Sequence, residues 1–282
     1  MKLCRFTESG STRIGKVVGD RVVDLSRIPG VSGSMRDLLA NLPALRSALE
    51  AAHDPVFDLH DVRLEAPITD PQKYLAIGMN YKAHAEEAAA AGIPTPKSQL
   101  WFNKQVSCIA GPSDAIDMPR VSDKLDYEAE LAVVIGNRCR HVNAADARSV
   151  IAGYMVSNDV SVRDWQQRSP TFTLGKSFDT HGPIGPWITT DDEVHDPHAL
   201  VMRLTVNGDA RQRASTGDMI YNIYDQIAYL STVMTLEPGD LLATGTPAGV
   251  GIAAGRFLKV NDVVRVEIDG LGAIENRVEN EI

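Results

Sequence analysis

Lys124-Leu125-Asp126-Tyr127-Glu128-Ala129-Glu130-Leu131-Ala132-Val133-Val134-Ile135-Gly136 is the stretch on which the reading of this chain turns. It opens charged and closes on a run rich in β-branched residues, the pattern of a strand entering a buried sheet. Side chains alternate faces along a strand, so Glu128 and Glu130 point the same way. Two carboxylates on one face beside an apolar run repel each other unless something neutralises them. A hard divalent cation such as Mg²⁺, which prefers oxygen ligands, does this best. A solvated edge face with three acids, Asp126 included, is an equal alternative on this segment alone.

The flanking segments alternate short strands with few helices. Downstream, 143–151 reads as helical and 152–159 as a buried strand that presents Asp159 at its tip. Residues 161–167 then turn helical, with Arg163 and Gln166 three apart. Upstream, 73–78 is a buried strand running into an Ala/Glu/Lys-rich helix with Asn80 as its N-cap and Gly92 and Pro94 at its end. That helix has few large apolar anchors, so it orders and disorders cheaply. His84 and Glu87 share one of its faces. Residues 219–236 read as a longer amphipathic helix. A strand at 241–244 feeds the glycine-rich loop 245–251, which lacks the GK[ST] ending of a P-loop. Its free N–H groups and the Thr246 hydroxyl suit a carboxylate, and a tight structural turn reads equally well. Asn207-Gly208 and Asp269-Gly270 mark hairpins.

Residues 1–70 form a small leading unit of short strands around a Gly19-Asp20 turn and a helix over 36–52. A linker from Ala66-Pro67 to Asp70-Pro71 separates it from residues 71–282. The fold class expected is α+β with much antiparallel or mixed sheet.

The 282 residues are 44% hydrophobic and carry a net charge of −9, which argues against nucleic acid and against an anionic membrane surface as partners. Cys4, Cys108 and Cys139 are odd in number and lack CxxC spacing, so reduced thiols are expected. The N-terminus shows no apolar signal region, and no stretch approaches the about 20 apolar residues of a membrane span. A reducing cytoplasm fits these features.

The ordered set Gly78-Met79-Asn80-Tyr81…His84…Glu87, Asp126-Tyr127-Glu128-x-Glu130, Asn158-Asp159-Val160-Ser161-x-Arg163-Asp164-x-Gln166, Gly175-Lys176-Ser177-Phe178-Asp179 and Thr244-Gly245-Thr246-Pro247-x-Gly249-Val250-Gly251 resembles the fumarylacetoacetate hydrolase family. The likeness runs from about residue 72 to 280. It is nearest to bacterial members that include acylpyruvate hydrolases, diketo-deoxy-sugar-acid hydrolases and 2-hydroxyhepta-2,4-diene-dioate isomerases. The resemblance implies a mixed β-sandwich roll with a small N-terminal domain, in a homodimer. It implies Mg²⁺ or Mn²⁺ (Ca²⁺ an alternative in crystals) on Glu128, Glu130 and Asp159. It implies a water-activating dyad of His84 and Glu87, with Lys176 and Gln166 also at the reacting centre, and substrate contacts from Arg163, Thr246 and Tyr81. The small-molecule substrate it implies is a 2,4-dioxo acid, cleaved between C3 and C4 to pyruvate and a carboxylic acid. The alternatives are decarboxylation or isomerisation of a β-keto or 2-hydroxydienoate acid, or a metal-binding relative without turnover. The position before Asn80, often arginine in acylpyruvases, is Met79, which removes one support for a small, doubly charged substrate.

Overall fold

A computed structural model of the chain describes residues 1–281. The strand Ala129–Ile135 lies inside a twelve-stranded mixed sheet, and all of its residues are buried. Its two faces enter different cores. Leu131, Val133 and Ile135 join one cluster, and Ala132 and Val134 join another. Burial of each large side chain contributes roughly 1.5–3 kcal/mol. Apolar material on both faces explains why an antiparallel strand reads as one hydrophobic run and not as an alternation.

The larger side chains face the second sheet, five strands in the order Asp209–Ser215, Val201–Val206, Val263–Ile268, Gly272–Asn280, Ile116–Met118. Met202, Leu204, Val264, Val266 and Ile274 share the core with Leu131 and Val133. The smaller side chains share theirs with Leu38 and Leu39 of the helix Met35–Ala40. The result is a sheet-dominated α+β sandwich, as the resemblance implied.

The main path of the large sheet runs Val56–Asp58, Arg21–Asp24, Ser11–Val18, Lys2–Glu8, Gly182–Thr190, Ile151–Asn158, Ala129–Ile135, Leu241–Ala243, Tyr74–Gly78, Leu100–Lys104. The division expected at residue 70 is therefore not a break in the sheet. Lys2 lies opposite Thr189 and Leu3 opposite Ile188, so the leading strands extend the same layer. The Asn207-Gly208 turn forms as expected, with both residues at positive φ, as a two-residue hairpin of primed type requires.

Four local expectations need correction. The span 124–136 is two strands, Leu125–Asp126 and Ala129–Ile135. Between them the Tyr127 N–H donates to its neighbour Asp126 and the Glu128 N–H to the Asn158 side chain, and side-chain acceptors replace the ladder. The span 36–52 divides into Met35–Ala40 and Leu42–Ala51, because Pro43 starts a helix well and continues one badly. The span 143–151 is 3₁₀ over Ala144–Val150, with Ile151 already in the next strand. The helix expected over 219–236 is shorter, Ile223–Val233, since the Asn222 side chain caps it by accepting from the N–H groups of Tyr224 and Asp225.

Candidate metal centre and active site

Three acids meet where the central strands end. Glu130 lies on Ala129–Ile135, and Glu128 immediately precedes it. Asp159 follows the neighbouring strand Ile151–Asn158, and its N–H donates to the Glu128 carbonyl at 2.9 Å. One oxygen from each carboxylate falls within 4.8 Å of the other two, and all three residues are buried. Glu128 and Glu130 therefore lie together, as strand alternation predicted, and Asp159, which follows the neighbouring strand, lies with them.

The surrounding charges do not balance. Four buried carboxylates, counting Asp126, face three buried cations, Lys104, Arg163 and Lys176. Lys176 Nζ donates to Glu128 at 2.7 Å and to Asp159 at 2.8 Å. Arg163 spans Asp126 and Glu128, each at 2.7 Å. Burial would raise the Glu128 carboxyl, but Lys176 and Arg163 hold it down at about 2. Among the described residues, Glu130 receives one hydrogen bond at its carboxylate, from the Gly245 N–H at 2.8 Å, and forms no ion pair. Burial, with the charges of Asp159 and Glu128 added, pushes it well above the usual carboxylate range. A buried carboxylate without a countercharge, inside a triangle of oxygens of this size, fits a hard divalent cation.

The helix Lys82–Ala90 covers one side of the site. His84 Nδ1 lies 3.0 Å from Glu87, and the other Glu87 oxygen accepts from the Gly249 N–H at 3.2 Å. Only Ala85 and Ala88 are buried on this helix, so its hold on the body is slight, as its composition suggested. His84, Glu128, Arg163, Gln166, Lys176 and Thr246 line one cavity of about 580 Å³. The Thr246 hydroxyl accepts from Gln212 at 2.9 Å, which leaves its own proton for an acceptor in the cavity. Gln166 accepts from Arg163 at 2.8 Å.

Two expectations differ from the structure. Asn80 does not cap the helix. Its side chain instead donates to the carbonyls of Thr244 at 2.8 Å and Tyr221 at 3.0 Å and accepts from the Tyr221 N–H, tying three segments together. A Cβ at Gly245 would lie 2.8 Å from that of Asn80, and φ there is +97°, so this position requires glycine. Tyr81, expected at the substrate, is 1% exposed and is not among the cavity's lining residues, because its backbone bridges to Met219 and carries the ring into the core.

The sequence reading missed Lys104. This fully buried ammonium donates to Asp159 Oδ1 at 2.7 Å and to the Lys176 carbonyl, so it orients an acid of the centre and the backbone of a neighbouring cation. Burial alone would lower its pKa, but Asp159 outweighs that and raises it. The available signal was alternation along Leu100–Lys104, which puts a lysine on the same face as buried Phe102. Lys104→Met should destabilise the metal-free protein by about 3 kcal/mol or more, since it removes one of the two buried cations on Asp159 and leaves four buried carboxylates facing two cations. Denaturant unfolding reads this directly, and a loss below about 1 kcal/mol would mean that Asp159 does not depend on the ammonium.

A family model described as fumarylacetoacetate (FAA) hydrolase C-terminal matches residues 73–279. A mitochondrial oxaloacetate tautomerase of Xenopus laevis is 42% identical over 291 residues, covering 99% of this chain and 90% of that one. Maleylpyruvate hydrolase from Sphingobium sp. SYK-6 has a TM-score of 0.86 and 36% identity over all of both chains, and its structure is also known in complex with manganese(II) ion and pyruvate. A 2-hydroxyhepta-2,4-diene-1,7-dioate isomerase from Mycobacterium marinum has a TM-score of 0.80 and 33% identity, covering 100% of this chain and 99% of that one. Among the described residues no helix is long and apolar enough to cross a membrane.

Proposed function

This chain belongs to the fumarylacetoacetate hydrolase family, and from that premise we propose that it hydrolyses the C3–C4 bond of a 2,4-dioxo acid to pyruvate and a carboxylic acid. The observation that carries this reading is the His84–Glu87 pair at 3.0 Å, with His84 lining the same cavity as Glu128 of the acidic cluster. A site that only bound its ligand would not need a positioned base.

Glu128, Glu130 and Asp159 would hold Mg²⁺ or Mn²⁺, which supplies Lewis-acid polarisation of the oxo-acid oxygens. His84 takes a proton from water as that water attacks C4, and Glu87, on Nδ1, steadies the imidazolium. Lys176 has three N–H donors and spends two on Glu128 and Asp159. The third stabilises the oxyanion growing at C4. Thr246 donates its hydroxyl to the substrate carboxylate. The C3–C4 electron pair leaves with the pyruvate fragment, and His84 returns its proton to C3.

The same base serves a second reading, keto–enol tautomerisation without bond cleavage, which the Xenopus relative's name favours. A pyruvate-coupled screen of 2,4-dioxo acids, with Mn²⁺ and with chelator, separates the two. Pyruvate release that stops with chelator is the expected result. Loss of enol absorbance with no pyruvate would sink the hydrolase reading and leave the tautomerase.

A further inference from the structure

The cavity is polar around Glu128, carries Gln167 and Ser169 as neutral polar groups further out, and is otherwise mostly apolar. Its ionisable lining consists of His84, Glu128, Arg163 and Lys176. Both permanent cations are engaged, Arg163 by Asp126, Glu128 and Gln166, and Lys176 by Glu128 and Asp159. Much of the remaining wall is Met79, Ile93, Leu100, Phe172, Val250 and Ile252.

Two of these wall residues have unusual backbones. Met79 has φ +53° and Phe172 φ +60°, the left-handed region that long side chains avoid. Such residues persist only where their surroundings hold them, and they gather at ligand sites. The Phe172 ring meets Phe102 edge-on at 5.9 Å, and Phe102 lies 5.0 Å from the Lys176 ammonium. The apolar wall thus begins directly beside the polar end. At the mouth, Ile93 is 47% exposed and Ile252 36%, two large apolar side chains open to solvent on the same cavity.

We propose, resting on the 2-oxo-acid reading above, that this wall receives an uncharged, apolar tail and discriminates against a substrate with a second, terminal carboxylate. An alkyl tail gains about three- to fourfold in affinity per buried methylene. A terminal carboxylate would lose water against Leu100, Phe172 and Ile252 with no free cation to meet it. Met79, Ile93 and Phe172 are then specificity-determining residues, and the substrate is a monoanion.

The test separates this inference from the hydrolase reading by measuring binding. The Mn²⁺-loaded protein is titrated calorimetrically with 2-oxooctanoate and with 2-oxooctanedioate, which match in length and lack a C4 carbonyl to attack. The monoacid should bind at least about tenfold more tightly. Equal or tighter binding of the diacid overturns the inference. Ile93→Arg, at a position already half in water, should narrow the ratio by about fivefold or more through the diacid. Ile252→Arg repeats the measurement from a second exposed lining position should the first variant fail to fold, and a ratio unmoved by a folded variant overturns the role of the wall. Tail preference without pyruvate release from 2,4-dioxooctanoate sinks the hydrolase reading alone, and binding of neither oxo acid sinks both.

Discussion

His84→Ala is expected to lower turnover by about 10²- to 10⁴-fold while divalent-metal affinity stays unchanged. The imidazole is not among the three acids of the metal centre, and it stands on a helix whose own buried contacts are two alanines. Its removal therefore takes away the proton acceptor without disturbing Glu128, Glu130 or Asp159. Single-turnover pyruvate release beside a Mn²⁺ titration distinguishes the outcomes. Undiminished turnover would remove the dyad from the mechanism. A parallel fall in metal affinity would make His84 part of the metal centre. Glu87→Gln should give a smaller loss, because it keeps an acceptor for the Gly249 N–H but withdraws the charge that steadies the imidazolium.

The second large effect is expected at Glu130. Glu130→Gln should weaken Mn²⁺ binding by about 100-fold or more, beyond what loss of an outer-shell partner costs. The metal-free variant should be at least as stable as the parent, since glutamine still accepts from the Gly245 N–H and removes a carboxylate that has no countercharge. A pH series adds a sign. Native Glu130 titrates above its ordinary value of 4.5, so the folded state keeps a proton that the unfolded chain releases. The metal-free parent should lose stability as pH rises from about that value towards the raised one, and the Glu130→Gln variant should lack this part of the slope. Calorimetry and unfolding with and without Mn²⁺ check both halves, because an ion bound only by the folded state stabilises it by mass action. Unchanged affinity would remove Glu130 from the metal centre.

Legibility followed distance along the chain. Glu128 with Glu130, and His84 with Glu87, were readable because strand alternation and one helical turn place such pairs together without further information. The shortening of the 219–236 helix was also local, since Asn222 is a strong cap, but hydrophobic periodicity ran through it and hid the boundary. The partners of Lys104, Gln212 and the Asn80 side chain were not readable. Each acts on a group far along the chain, Lys104 on Asp159 and Asn80 on Thr244, and a lone polar residue in a strand or turn carries no sign of its partner.

The sequence by itself determined the α+β class, the pairing of acids on one strand face, the base beside its carboxylate, and the family whose motif order these residues follow. Tertiary structure alone decided that Lys104 pairs with Asp159, that Tyr81 turns inward, and that an apolar wall adjoins the polar end. The reason is physical. Backbone periodicity reaches only a few residues, whereas charge compensation and cavity shape depend on which strands the sheet brings side by side.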